Sequence, residues 1–598
     1  MRVRSAAAAA VLALVLWSGA AALAVGATPA SSRSDSTLAS LTLTRTHSTH
    51  STGSTNSETP IPVARSTVPP AAHRLSSDQV LAIAARIPKI RALHKEYKGS
   101  FADPYLKGSF QWQVSYFTRN GKKEIGLVII TDLSGRVAEV WTGFQVAWTM
   151  ARGYPGAFGR HVGALYVWIP LCVLFIAPFF DFRRPFRLLH LDLLVLLSFS
   201  ISLAFFNHAH IYASVPLAYP PLLYLLARML ALLRRSAHPL EGRRLPTLVS
   251  ARWLAVGVVF LIGFRVALNV TDSNVIDVGY AGVIGASKIA HGERLYGHWP
   301  TDNEHGDTYG PVNYEVYVPF EQVFGFSGKW DDLPAAHAAA IVFDLLAIGL
   351  CFLLGWRWRG PTLGAALAYS WAAYPFTLFA LESNSNDSLV AVLVLAALLA
   401  ASYRSQLAAG GRGALMALAG LTKLAPLALA PLLATTGLSR RTRAQQLRSL
   451  ALYALGFAGC VLLVSIPALS HDALHEIYAR TVAYQSNRGS PFSLWGLYGL
   501  HDAEAVVEVA AAALALMLAV LGGWGSVRND LVGLAAACAA VLIATQLGIE
   551  HWFYLYIPWF FPLVMLALLG RFSEPAQPPP AAASAPALSS RPAAVLSS

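Results

Sequence analysis

The sequence predicts an all-α polytopic membrane bundle of about 11 spans plus a re-entrant helix pair, led by a small α+β domain outside the membrane. Three observations predict it. Of 598 residues, 55% are hydrophobic and only 13% charged. Apolar runs of about 18–22 residues recur, the length a helix needs to cross the hydrocarbon core of a bilayer. The arginines gather in short loops between those runs, so the net charge of +13 orients the chain in a membrane instead of recruiting nucleic acid. A soluble globular protein is excluded on the same grounds.

Taken in order, residues 1–24 read as a signal peptide: Met1-Arg2-Val3-Arg4, an Ala/Leu/Val core, then Ala22-Leu23-Ala24 as a cleavage site, with an uncleaved anchor as the alternative. Residues 25–74 are rich in Ser, Thr and Pro and read as a disordered linker. Residues 75–150 form the exported α+β domain. Ser77 and Asp78 cap a helix reaching about residue 86. Strands follow at 112–118, 124–131 and 136–142, around Asn120-Gly121 and Ser134-Gly135 turns. One helix on a three-stranded antiparallel meander resembles a PepSY-type module, which implies binding or docking, not catalysis.

Spans are expected at 163–180, 188–207, 213–233 and 252–270, then at 337–356, 362–381, 385–402, 449–468, 504–523, 530–548 and 552–570. The stretch 163–251 is accessory to the main bundle, and 571–598 is a disordered cytoplasmic tail. With the first domain outside, Arg183-Arg184-Arg187, Arg234–Arg252, Arg357–Arg359 and Arg404–Arg412 all fall in the cytoplasm. Residues 413–436 break the pattern. Both flanks are basic, Pro426 and Pro431 interrupt the run, and Lys423 sits at its middle. A re-entrant helix pair keeps both flanks inside; a single crossing is the alternative. The four cysteines lie in apolar runs without ligand spacing.

Outside lies the loop 271–336, with Asp272, Asp277, Glu293, Asp302, Glu304, Asp307, Glu315 and Glu321. Carboxylates so concentrated beside spanning helices point to chemistry at the outer membrane surface. Asp302, Glu304 and Asp307 around His305 read as a flexible polar loop before they read as a hard-metal site. Glu382, Asn384, Asn386 and Asp387 stand where a span meets the outside, as helix caps or as a binding cluster. Lys423 in an apolar hairpin is expensive unless paired or facing water.

Several of these residues carry a resemblance. Asp277-Val-Gly-Tyr280, Gly292-Glu-Arg-Leu-Tyr296 and Tyr309-Gly-Pro-Val-Asn-Tyr314 resemble the first outer loop of GT-C membrane glycosyltransferases. Tyr374-Pro375, the Glu382–Asp387 cluster, Leu421-Thr-Lys423-Leu-Ala-Pro426 and Gln485-Ser-Asn-Arg488-Gly-Ser-Pro491 extend it, and glycosyltransferase family 87 is the nearest branch. The likeness covers about residues 252–570; Gly310-Pro311 departs from the two prolines usual there.

The resemblance implies a GT-C-like fold and an inverting transfer of a mannose-like hexose or a pentose from a polyprenyl-phosphate sugar donor to a glycan or glycolipid acceptor. Asp277 becomes the general base, with Asp272 second. Arg488, His551 and Lys423 become donor phosphate ligands. Tyr280, Tyr309, Tyr314, Glu382, Asn384, Asn386, Asp387, Gln485 and Asn487 become substrate contacts. The resemblance fixes no certain cofactor, and a divalent cation stays open. The setting is the plasma (cytoplasmic) membrane, with membrane lipid as partner and the active site and N-terminal domain extracytoplasmic. A transporter or flippase of lipid-linked saccharides, or a membrane-anchored sensor or scaffold, are the alternatives.

Overall fold

The computed structural model describes residues 60–572, apart from 109, 155, 235–244, 301–302, 331, 404, 526 and 528–529. The expected signal, most of the linker, the tail and Asp302 lie outside the described residues.

The N-terminal domain is larger than the sequence suggested. Its antiparallel sheet has five strands in sequential order: β1 (Ile61–Pro62), β2 (Phe101–Lys107), β3 (Gln111–Phe117), β4 (Glu124–Thr131) and β5 (Val137–Thr142). β2 escaped the sequence reading because Asp103-Pro104 looks like a breaker. Proline is tolerated there because only the two-residue β1 lies beyond β2, which makes it close to an edge strand. Two helices, α1 (Ser77–Ala85) and α2 (Pro88–Glu96), replace the single one expected. Ser76 is the cap of α1, in a reciprocal capping box with Gln79, while Ser77 donates to Ala64 O at 3.0 Å. Val80, Ala84, Ile90 and Leu93 cover Trp112, Val114 and Tyr116, the inward set of β3. On the opposite face Leu127, Ile129 and Trp141 are covered by Val146 from the segment that leads to the membrane.

The rest is an integral membrane bundle. Among the described residues, seven helices are long and apolar enough to cross a bilayer: α4 (Leu188–Phe206), α5 (Ile211–Leu232), α6 (Ala251–Asp272), α8 (Pro334–Arg359), α14 (Arg443–Leu469), α16 (His501–Gly523) and α17 (Leu531–Gly548). Shorter helices fill other expected spans, α3 (Leu165–Ile176), α11 (Asp387–Ala401) and α18 (Ile557–Leu569), while α12 (Leu407–Thr422) opens the stretch expected to be re-entrant. The span expected over 362–381 is broken at Tyr374-Pro375 into α9 (Pro361–Ala373) and α10 (Pro375–Glu382), since the residue before proline is driven out of the helical region. Inside the bundle Arg265 of α6 pairs with Asp344 of α8 at 2.5 Å, and Trp371 of α9 donates to the same carboxylate at 2.8 Å.

Residues 407–441 fold back on themselves. α12 ends where Lys423 turns extended (φ −144°, ψ 143°), and the chain returns through α13 (Ala430–Thr435). Arg412 Nε donates to Leu433 O at 3.1 Å, so the limbs lie side by side; Arg441 donates to Ser405 O at 3.4 Å, so the basic flanks meet. The hairpin carries Lys423 at its tip.

Candidate active site

The site is built around the turn between α6 and α7 (Asp277–Ala290), whose first residue is Asp277. Four residues make the turn, and the 382–384 segment holds them. Asn274 N and Ile276 N donate to the carbonyls of Glu382 and Ser383 at 3.3 and 3.2 Å. Asn384, in the left-handed region at φ 48°, donates through Nδ2 to Ser273 Oγ and Asn274 O, both at 2.9 Å. Its Oδ1 accepts from Asn269 Nδ2 at 2.9 Å. Asn303 donates to Asp277 O at 3.1 Å. The carboxylate thus leaves a helix N-terminus, where the backbone dipole favours its charge, on a turn with little freedom.

Asp277 opens into a cavity of about 760 Å³ that also takes in Tyr309, Gln485, Arg488, Lys423, Asp387 and His551. The Asp277 side chain is bare on its cavity side yet enclosed by protein, and this enclosure pushes its pKa up; Arg488, the Val278 amide and Lys423 pull the other way. Arg488 makes no hydrogen bond or ion pair among the described residues. Burial works against its charge, but Tyr309, Tyr556, Tyr484 and Asp277 outweigh that and raise its pKa. It is a permanent cation with unfilled donors, suited to an anionic group. His551 Nδ1 lies 2.9 Å from Ser490 Oγ. Burial, then Arg488 and Lys423, hold its pKa well below the usual value, so it is a neutral imidazole and adds no positive charge for a phosphate.

Lys423 is in the cavity but occupied. Its Nζ donates to Asp387 Oδ1 at 2.5 Å, Trp559 Nε1 donates to the same oxygen at 3.0 Å, and the ammonium sits 5.3 Å from the Tyr556 and Trp559 ring centres. This answers the cost of a lysine in an apolar hairpin.

Several residues expected to touch substrate do not line the cavity. Asp272 pairs with His161 at 2.6 Å. Tyr280 is buried 4.7 Å from the Trp330 ring. Tyr314 Oη donates to Gly306 O at 2.8 Å and accepts from Tyr309 N at 3.2 Å, bracing the loop behind Tyr309. Glu382 is buried with both carboxyl oxygens unpartnered, Asn384 is spent on the Asp277 turn, and Asn386 bonds to Asn313. Asn487 is exposed and caps its own turn through Ala483 O at 2.7 Å. Gln485 lines the cavity and donates to Thr308 O at 3.3 Å. Gly310 packs against the Leu421 backbone with no room for a Cβ, which fits the departure at Gly310-Pro311.

The sequence reading missed other lining residues. His501, Glu504 and Glu508 come from the start of α16, joined by Glu550; His501, Glu504 and Glu550 place their ligand atoms within 4.8 Å of one another, a spacing that fits a divalent cation. Their i, i+3, i+7 spacing on one helix face was visible, but it is also that of an ordinary solvated helix start. Met150 and Phe158 complete the wall. Above the cavity, the segment after α14 is tied to the acidic loop: Asp472 accepts from Leu295 N at 2.9 Å and Arg480 pairs with Asp307 at 3.4 Å.

No curated protein matches this sequence. Among solved structures, a crystal structure of ArnT from Cupriavidus metallidurans bound to undecaprenyl phosphate is similar at 16% identity and a TM-score of 0.26, over 54% of this chain and 79% of that one; a likeness so low transfers no residue. Residues 308–548 match glycosyltransferase family 87, a stretch that includes Tyr309, the 382–387 turn, Lys423, Gln485 and Arg488; Asp277 lies 31 residues before it and His551 three residues after it.

Proposed function

We propose that the protein transfers a mannose-like hexose or a pentose from a polyprenyl-phosphate donor to an extracytoplasmic glycan or lipid, with inversion. Asp277 takes the proton of the acceptor hydroxyl, whose oxygen attacks the anomeric carbon. The anomeric carbon–oxygen bond to phosphate breaks, and polyprenyl phosphate leaves with its charge against Arg488. Lys423 acts from behind through Asp387, and neutral His551 offers a hydrogen bond.

The observation that carries this reading is that Asp277 and the unpartnered Arg488 share one cavity bounded by α14. Leu462 and Leu469 of α14 line that cavity, are exposed, and also line an open apolar groove along α14 with Gly459, Leu463 and Ile466. Such an opening admits an isoprenoid from the lipid while its phosphate meets the guanidinium. A transporter would use Lys423 as its deep charge, and Asp387 already holds it. The test is release of polyprenyl phosphate by the purified full chain from polyprenyl-phosphate mannose and polyprenyl-phosphate pentoses, with alkyl glycosides as acceptors. Release that depends on the acceptor supports transfer; no release from any donor defeats it.

A further inference from the structure

Residues 143–163 connect the exported domain to the first membrane helix and lie outside the family match. This strap faces two ways. Toward the sheet, Val146 joins Leu127, Ile129 and Trp141. Arg152 lies over the Trp141 ring at 5.3 Å and donates to Gln145 O at 2.8 Å. Gly156 sits under the same ring, where a Cβ would approach to 2.6 Å.

Toward the bundle, the anchors converge on the catalytic turn. Gly159 N donates to Asn274 Oδ1 at 2.7 Å, three residues before Asp277. At φ +72°, Gly159 packs so closely that a Cβ would meet Phe379 at 3.2 Å and Glu382 at 3.3 Å. His161 holds Asp272. Trp148 meets Phe492 edge-on at 4.7 Å, and Phe158 meets Phe553 edge-on at 6.0 Å. Between these anchors Met150 and Phe158 are half-buried, and both line the cavity.

We propose that this strap forms the acceptor wall of the active site, with Met150 and Phe158 as specificity-determining residues that hold the apolar face of an acceptor pyranose beside Asp277. The inference rests on the glycosyl transfer proposed above. The donor's two ends already have their places: phosphate at Arg488, isoprenoid along Leu462 and Leu469. The sugar that surrenders its proton must come to Asp277 from another side, and the strap is registered to Asp277 through Asn274. The thioether and the aromatic ring stand in one cavity with Asp277, Gln485 and Glu504, a pairing that suits a pyranose, which presents C–H groups on one face and hydroxyls on its rim. The exported domain is thereby fixed to the acceptor wall, so whatever it binds outside is held close to the reacting hydroxyl.

The experiment uses the full chain, polyprenyl-phosphate mannose as donor and octyl mannoside as acceptor probe. Phe158→Ala and Met150→Ala are expected to raise KM for the acceptor about tenfold each. KM for the donor should change less than twofold. Phe158→Leu should recover most of the acceptor affinity. Unchanged acceptor KM overturns the proposal; so does a parallel rise in both KM values, which would mark the strap as fold support alone. A binding readout separates this from failure of the transfer reading. Maleimide labelling of Phe158→Cys should be slowed by octyl mannoside but not by polyprenyl phosphate, whether or not turnover occurs. Equal labelling with and without the sugar overturns it.

Discussion

The two charged groups that face each other across the cavity are supported in opposite ways. Asp277 stands on a turn tied by Asn269, Ser273, Asn384 and the 382–383 carbonyls, and its position is set before any ligand arrives. Arg488 stands in the loop after a π-helical turn at Ala479–Ala483, with no partner of its own among the described residues. A general base works by geometry, since proton transfer demands hydrogen-bond distance. A phosphate cation works by charge and must keep its donors unspent until the ligand supplies the acceptors. The difference separates a group the fold has positioned from one it has left available.

Breaking the positioned side should have the largest effect. Asp277→Asn keeps the size and the helix start but cannot accept the proton, so transfer should fall by about 10²–10⁴-fold with folding intact. The check is single-turnover product formation alongside a thermal melt; near-native transfer places the base elsewhere. Arg488→Gln should reduce transfer by about 10²–10³-fold, chiefly at the departure of phosphate. It should also move the pH profile. Asp277 must be ionised to act, so the rate falls as pH drops through its pKa, which enclosure has already raised. Arg488 stabilises the carboxylate, so removing it raises that pKa further and shifts the acid limb to higher pH. A limb unmoved, or moved to lower pH, disconnects the two groups.

The contrast also explains what the sequence could reveal. Span periodicity and arginine placement outlined the membrane bundle, and the acidic stretch 271–336 stood out because the rest of the chain is so poor in charge. Lys423 was legible as a charge in an apolar hairpin, Tyr309 and Arg488 through the motifs that carry the family resemblance, and His551 as a polar residue at the start of the last span. Direction was not legible. Glu382, Asn384, Asn386 and Asp387 form one polar string, yet Asp387 faces the cavity while Asn384 turns back to hold the Asp277 turn. Nothing local distinguishes those outcomes, because the partners Asn269 and Ser273 are more than a hundred residues away in sequence. Met150 and Phe158 carried no signal at all: two apolar residues in a linker acquire meaning only from the cavity they reach.

That long-range clamp offers a finer test. Asn384→Ala strips hydrogen bonds from Asn269, Ser273 and Asn274 O without touching the cavity. Leaving such buried groups unpaired should lower stability by about 1–3 kcal/mol, and loosening Asp277 should reduce kcat with little change in donor KM. Arg488→Gln should leave the melt unchanged, because its guanidinium holds nothing. Equal melting losses in the two variants would erase the distinction between a positioned and an available group.

The smallest effect is expected at Asp272, the carboxylate nearest Asp277 in sequence and the natural rival for its role. The structure turns it away, onto His161 at 2.6 Å, at the C-terminal end of α6. Both partners are partly exposed, and such pairs contribute about 0–1 kcal/mol. Asp272→Asn should therefore keep transfer within about threefold of the unsubstituted protein, equivalent to less than about 1 kcal/mol. Parallel assays of the two aspartate variants decide the matter: five residues separate them in the chain, and only the one whose turn is fixed by Asn384 should be indispensable. Loss of transfer in Asp272→Asn with Asp277→Asn still active would reverse the assignment of the base.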